Sequence, residues 1–256
     1  MENIKLYLYS KKEGQSKYEN VYEYFYDEFD INDYKNAYIV LFWGRIGSGK
    51  KTSINALFNI IKGIELEDNF RFILIKESDT KMNVNKSKID GVHLYYVKDY
   101  NNKPIILISI EEYGDYMGPI KDEKIIKALS YVFANLIEHI NACCFITKAT
   151  DHKLDILTKY VFSSITNLFS EDFAENFIFL ATFANSHTVK EGPTFTKHIA
   201  QYLDVLNINN KIEQKYWFSF DSKSLFDDDI DCKLTKYSYE QYSKLYEKIK
   251  NLYSKR

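Results

Sequence analysis

The chain has 256 residues, 45% of them hydrophobic and 27% charged, with a formal net charge of −2. That length suits one sizeable core, since single domains seldom run past about 250 residues, and the composition excludes a disordered chain. The near-neutral charge, with Lys and Arg spread along the chain, argues against nucleic acid or an anionic membrane as partner.

No apolar run approaches the roughly 18 residues that a spanning helix needs, and residues 1–15 lack the apolar core of a signal peptide. A cytoplasmic location is expected. Cys143, Cys144 and Cys232 are an odd set without framework spacing and read as reduced thiols, with Cys232 in an acidic loop.

Residues 1–36 are rich in Tyr and acid, and Tyr18, Val21, Tyr22, Phe25 and Phe29 recur at helical spacing. An N-terminal helical extension over 1–36 is therefore expected ahead of a domain over 37–256. Its apolar stripe packs back on that domain or offers a face to a protein partner. The apolar run Tyr38–Trp43, closed by Gly44, suits a buried strand. After Gly49, the positions Ile54, Leu57, Phe58 and Ile61 mark one buried face of a helix. Val92–Val97 and Ile105–Ile110 read as strands joined by a turn at Asn101 and Asn102.

From Asp122 a helix carries Ile125, Leu129, Val132, Phe133 and Leu136; Ala142–Thr147 then reads as a strand. Leu157, Val161, Ser164, Ile165 and Leu168 give another helix, and Phe177–Thr182 another strand. Pro193 opens a helix running to Leu206, Tyr216–Phe220 is a short strand, and Tyr242, Leu245, Tyr246, Ile249 and Tyr253 line a closing helix. Strands alternating with helices predict an α/β fold, a mostly parallel sheet with helices on both faces. No internal repeat or low-complexity linker interrupts it.

The segment Gly44-Arg45-Ile46-Gly47-Ser48-Gly49-Lys50-Lys51-Thr52 places three of the chain's nine glycines within six residues, between a predicted strand and a predicted helix. Glycines let a backbone curl so that successive N–H groups face phosphate oxygens, the helix end adds positive dipole, and Lys50 would reach the β and γ phosphates. This is the GxxxxGK core of a P-loop. Gly44, Gly47, Ser48, Gly49, Lys50, Lys51 and Thr52 are the expected phosphate-binding residues. Lys51 departs from the motif, which wants a Ser or Thr hydroxyl there for Mg²⁺. Thr52 is a poor substitute, because one further helical residue turns a side chain by about 100°. Mg²⁺ binding is expected to be weakened.

The run GRIGSGKKTSINALFNIIKGIELEDNFRF resembles the P-loop and first helix of the septin-related, immunity-associated GTPases of the TRAFAC class. The likeness extends from residue 38 to about 226 and leaves the N-terminal extension unmatched. It implies a three-layer P-loop NTPase fold, a G domain, that binds GTP and GDP and pairs as a homodimer through the nucleotide face. Ile108–Asp115 falls where that family has a strand ending in Asp-Thr-Pro-Gly, which implies Gly114 as a γ-phosphate contact and Glu111 in place of the Mg²⁺-holding aspartate. Thr80, in ESDTKMN, takes the place of the first-switch threonine, the second implied metal residue. Thr182-Phe183-Ala184-Asn185 is similar to the Thr-Phe-Ala-Asp that selects guanine, and Ser222 and Lys223 lie where relatives carry a loop over the base. Ser222 and Lys223 read equally well as a polar loop capping the last strand.

Three departures bear on function. An amide at Asn185 has one acceptor where the aspartate has two, so guanine selectivity should fall. Glu111 and Lys51 alter the metal ligands, which slows phosphoryl transfer more than phosphate binding. The expectations are a guanine-nucleotide switch with slow hydrolysis, a pseudo-GTPase serving as an interaction module, or an ATP-binding protein with relaxed base selection. No catalytic base can be named. The five histidines show no metal-site pairing, the acidic cluster Asp227, Asp228, Asp229 and Asp231 lacks the ordered ligands of a calcium loop, and no nucleophile elbow appears.

Overall fold

A computed structural model describes residues 21–23, 30–68, 70–75, 87–89, 91–110, 119–135, 137–151, 156–169, 176–185, 217–226 and 232–252. The expected strand at Tyr38 is β2 (Tyr38–Gly44), fully buried beyond its first residue, and Ile39 to Trp43 alternate between the two faces of a sheet. Around it lies a seven-stranded sheet in the order β4-β5-β6-β2-β7-β8-β9, with β4 (Ser87–Ile89), β5 (Val92–Lys98), β6 (Pro104–Ile110), β7 (Ala142–Lys148), β8 (Phe177–Thr182) and β9 (Trp217–Ser219). β6, β2, β7, β8 and β9 run parallel, while β4 and β5 are antiparallel to their neighbours. The β5–β6 hairpin turns at Asn101 and Asn102 as expected, with Asn102 at φ 62 and Asp99 accepting from the Asn101 and Lys103 N–H groups.

One face of the sheet is covered by α2 (Lys50–Ile61) and α5 (Cys232–Asn251), where Val40, Phe42, Leu107 and Leu180 meet Ile54, Leu57, Tyr242 and Leu245. The other is covered by α3 (Pro119–Asn135) and α4 (Ile156–Thr166), where Ile39, Leu41 and Trp43 meet Leu129, Val132, Val161 and Phe162. Cys143 and Cys144 point to opposite faces, and burial pushes both thiols up, so neither is a nucleophile at neutral pH.

Four expectations are corrected. Val21–Glu23, placed on a helix by its spacing, is a strand, β1, paired in parallel with β3 (Arg71–Ile73); tertiary pairing overrides a periodicity of so few residues. The first helix is instead α1 (Ile31–Asn36), opened by an Asp30–Asp33 capping box. β3 and β4 were not expected at all, because each is only three residues long. The closing helix begins at Cys232, ten residues before Tyr242, so Cys232 is helical and not part of a loop. Its first half docks through hydroxyls, Tyr237 to Ser219 and Ser238 to the Asp221 N–H, and so leaves no apolar stripe to read. Residues 1–20 and the helix expected from Pro193 to Leu206 lie outside the described residues.

Candidate functional site

Gly44, the last residue of β2, stands where nothing larger fits. Its φ is +155, and an added Cβ would stand 2.1 Å from the Ile146 carbonyl oxygen of β7. The chain then curls through Gly47 and Gly49, both at positive φ, and Gly49 is the N-cap of α2 with no side chain to satisfy the first turn. A helix start of this kind presents main-chain N–H groups and positive dipole to whatever lies in front of it. Lys50 closes the loop: its Nζ donates to Gly44 O at 2.7 Å and to Arg45 O at 2.9 Å. Inside the curl, the Ser48 hydroxyl is buried and has no hydrogen-bond partner among the described residues. A glycine cradle, a folded-back lysine and an orphaned hydroxyl fit a bound phosphate chain. Lys51 and Thr52 sit half-buried on the first turn of α2.

Two other segments reach this end of the sheet. The Thr182 hydroxyl, at the end of β8, lies 2.7 Å from Ser48 O and 3.0 Å from Thr147 O and shares its one proton between them, so it ties the loop to β8 and β7. After β9, Phe220 N–H donates to Ala181 O and Ala184 N–H to Phe220 O, joining residues 181–185 to the turn at Ser222–Leu225. The structure thus brings together the loop, Thr182, Asn185, Ser222 and Lys223. Beside the loop a cleft of about 110 Å³ is lined by Arg45, Ile46, Ser48, Lys148, Asp151 and Thr158 among others. It is smaller than the roughly 300 Å³ of a typical ligand pocket.

Two of the expected base contacts have hydroxyls engaged within the protein. Thr182 is buried with its hydroxyl engaged under the loop. Ser222 is also buried, its hydroxyl 3.1 Å from Ser53 Oγ on α2 and 2.6 Å from Tyr242 Oη on α5. Both hydroxyls act on the position of the loop and helix. Asn185 and Lys223 are exposed at the same end. Gly114, Thr80 and Glu111 lie outside the described residues.

Sequence reasoning missed the supports of the site. Asn55 on α2 accepts from the Leu74 and Ile75 N–H groups and donates to Ile75 O. Asn59, one turn on, accepts from Phe72 N–H and donates to Phe72 O, so α2 grips the strand that follows it. Arg71 donates to Leu66, Asp68, Phe70 and Leu225 carbonyls, linking that strand to the Ser222 turn. Two asparagines spaced i, i+4 along one side of a predicted helix were the available signal.

No protein-family model matches this chain, and no curated protein does. Solved structures match it over most of its length. Toc33 from Arabidopsis thaliana in complex with Mg²⁺ and GMPPNP aligns with a TM-score of 0.56 at 12% identity, over 84% of this chain and 85% of that one. Toc33 with GDP and Mg²⁺ gives 0.57 at 11%, over 86% and 90%. The fold is that of a P-loop G domain. A third structure, from work on the chloroplast translocon components atToc33 and psToc159, whose dimerization is important for GTPase activity, gives 0.58 at 11%, over 87% and 90%. Such identities establish the G-domain fold and leave the chemistry to the residues. No helix among the described residues is long and apolar enough to cross a membrane.

Proposed function

We propose that this G domain binds a purine nucleoside triphosphate, GTP in the first reading, along the Gly44–Thr52 loop, and acts as a GTPase-like switch with slow hydrolysis. The observation carrying this is the loop itself: three glycines at positive φ between a buried strand and a helix start, closed by Lys50 on two loop carbonyls. Bound phosphates would take Lys50 Nζ from those carbonyls and meet the main-chain N–H groups of the helix start, while Gly114 would approach the γ phosphate. The beside-loop cleft is too small for a nucleotide, so the base would lie across the open strand ends near Asn185 and Lys223.

Mg²⁺, when bound, neutralises the β and γ phosphate charge in this class of reaction. Lys51 has no acceptor atom and does not fit as its ligand, so this chain would hold the metal weakly, through Glu111 and Thr80. The septin-related resemblance belongs with this reading, as do a cytoplasmic location and the domain limits of 1–36 and 37–256. A homodimer through the nucleotide face follows from the resemblance and is supported by the dimerization of the Toc33 neighbours. The Tyr-rich N-terminal segment packs back on the domain in the first reading and serves as the contact for a protein partner in the second.

Lys51, Glu111 and Asn185 together favour a second reading, a pseudo-GTPase in which the fold serves as an interaction module. Calorimetric titration of nucleotide-free protein with GTP, ATP and GDP, with and without Mg²⁺, followed by a phosphate-release assay, separates the two. Tight GTP binding supports the switch, and turnover makes it an enzyme. No binding by any nucleotide sinks it in favour of the interaction module, while preference for ATP moves the assignment to an ATP-binding protein.

A further inference from the structure

Three hydroxyls meet where α2, the Ser222–Leu225 turn and α5 join. Ser53 Oγ, on the first turn of α2, lies 3.1 Å from Ser222 Oγ, which in turn lies 2.6 Å from Tyr242 Oη in the middle of α5. All three residues are at most 5% exposed. Water has little access to replace a lost partner at such depth, so each bond depends on the other. Ser222 has one proton to give and two lone pairs to accept with, and it can serve both neighbours at once. Burial pushes the Tyr242 phenol up, which keeps it a donor at neutral pH.

Elsewhere α2 and α5 share an apolar cluster through side chains such as Leu57 and Leu245. Apolar contacts are non-directional and tolerate small slides, whereas a hydrogen bond fixes a length and an angle. Here the directional contact stands beside the phosphate loop: Ser53 N–H donates to Gly49 O at 2.9 Å, the bond that opens α2, and Lys50 belongs to the same turn. At the other end of the chain, the Tyr242 ring is stacked on Phe220 at 3.9 Å, and the Phe220 main chain is bonded to Ala181 and Ala184. One end is thus a fixed post, and the other is the helix start that faces the phosphates.

We propose that Tyr242, which lies on the closing helix, is a positioning residue for the phosphate loop, acting through the Ser222 hydroxyl on Ser53 and so on the start of α2. The chain sets where the helix start stands, and with it the aim of Lys50 and of the main-chain N–H groups. Linkage makes the effect reciprocal: whatever affinity Tyr242 lends the loop, bound nucleotide returns as firmer attachment of α5. This rests on the nucleotide-binding reading of the loop.

The test is calorimetric titration of the full chain with GTP, for wild type, Tyr242→Phe, Ser222→Ala, Ser53→Ala and the double variant Tyr242→Phe with Ser53→Ala. Amide exchange over residues 233–242 is measured alongside, with and without saturating GTP. Tyr242→Phe keeps the stacked ring and removes only the hydroxyl. The expected result is GTP affinity weaker by about three- to tenfold in each single variant. The double variant loses no more than Ser53→Ala alone. GTP slows exchange over 233–242 in wild type and much less in Tyr242→Phe. Ser222→Ala breaks the chain at its middle, so it answers for a Tyr242→Phe variant that fails to fold. Wild-type affinity in both of these variants overturns the proposal, whatever they lose in a urea melt, and leaves the hydroxyls a purely structural role. Losses that multiply in the double variant overturn the route through Ser53. Equal protection of α5 by GTP in wild type and Tyr242→Phe overturns the linkage. Wild type that binds no GTP loses the nucleotide reading itself, and the positioning role with it.

Discussion

Thr182 Oγ1 lies 2.7 Å from the carbonyl oxygen of Ser48. The same hydroxyl is 3.0 Å from Thr147 O, so one buried side chain of β8 fixes the height of the glycine loop above two strands. Thr182→Val is isosteric and removes the donor, leaving Ser48 O without it. Loss of a buried hydrogen bond of this kind costs about 1–3 kcal/mol. Urea denaturation should show that loss, and nucleotide titration should show weaker binding; Thr182→Ser should restore both. A valine variant with wild-type affinity would mean that the loop does not depend on this tether.

Gly44→Ala is expected to be the most damaging small substitution in the loop. Its Cβ would meet main-chain oxygen at 2.1 Å, which no side-chain adjustment relieves, and the residue sits at φ +155. The expected result is a loss of more than about 3 kcal/mol in a denaturant melt, or failure to fold. Gly47→Ala, with nothing within 4 Å of its added Cβ, should cost only the strain of its positive φ.

Lys50→Ala should abolish nucleotide binding, since it removes the cation closing the loop; unchanged affinity would falsify the phosphate assignment. Lys51→Thr should gain Mg²⁺-dependent affinity by supplying the missing hydroxyl, read as the ratio of affinities with and without Mg²⁺. No metal response in that variant would place the defect in the other ligands.

How much of this was legible depended on how far each element's own residues specify it. β2, β6, β7 and β8 are continuous buried apolar runs, and their order along the chain with intervening helices was enough for a parallel sheet. The loop was legible because glycine spacing and Lys50 state their chemistry locally. β1 and β3 exist only as a pair, with Val21 opposite the sequence-distant Arg71, so neither segment reads as a strand alone. The bonds that the Thr182 and Ser222 hydroxyls make within the protein were not legible, because composition does not tell which neighbour a polar side chain meets.

The ion pair between Asp33 on α1 and Lys98 on β5, at 2.9 Å, gives a pH-dependent attachment of the N-terminal helix to the sheet. Burial alone would raise the Asp33 carboxyl; the Asp30 N–H and Lys98 outweigh it and hold it below its ordinary value. A depressed carboxylate contributes its stability above its unfolded value and loses it as the pH falls through the folded one. Acid titration of wild type against Lys98→Met should therefore show a difference at neutral pH that shrinks below the ordinary carboxylate range. At such partial exposure it should be at most about 1 kcal/mol. A difference independent of pH would assign the effect of Lys98 to packing.

Asn55→Ala should be more costly than its small size suggests, by about 2 kcal/mol or more in a denaturant melt, because it strands the Leu74 and Ile75 N–H groups. Asn55→Asp keeps the two acceptor contacts and should lose less. Equal losses in the two variants would show that the acceptor contacts carry little of the attachment.

Because Asn55 and Asn59 hold the 72–75 segment by its main chain alone, the grip is blind to which side chains that segment carries. Tolerance to change is thus unevenly divided between the two partners. These bonds survive a change of side chain on the held segment, although its buried Leu74 and Ile75 also tie it to the core, while a change at Asn55 or Asn59 removes them directly. The stretch beginning at residue 76 therefore departs from a point fixed by the same helix that begins at Lys50.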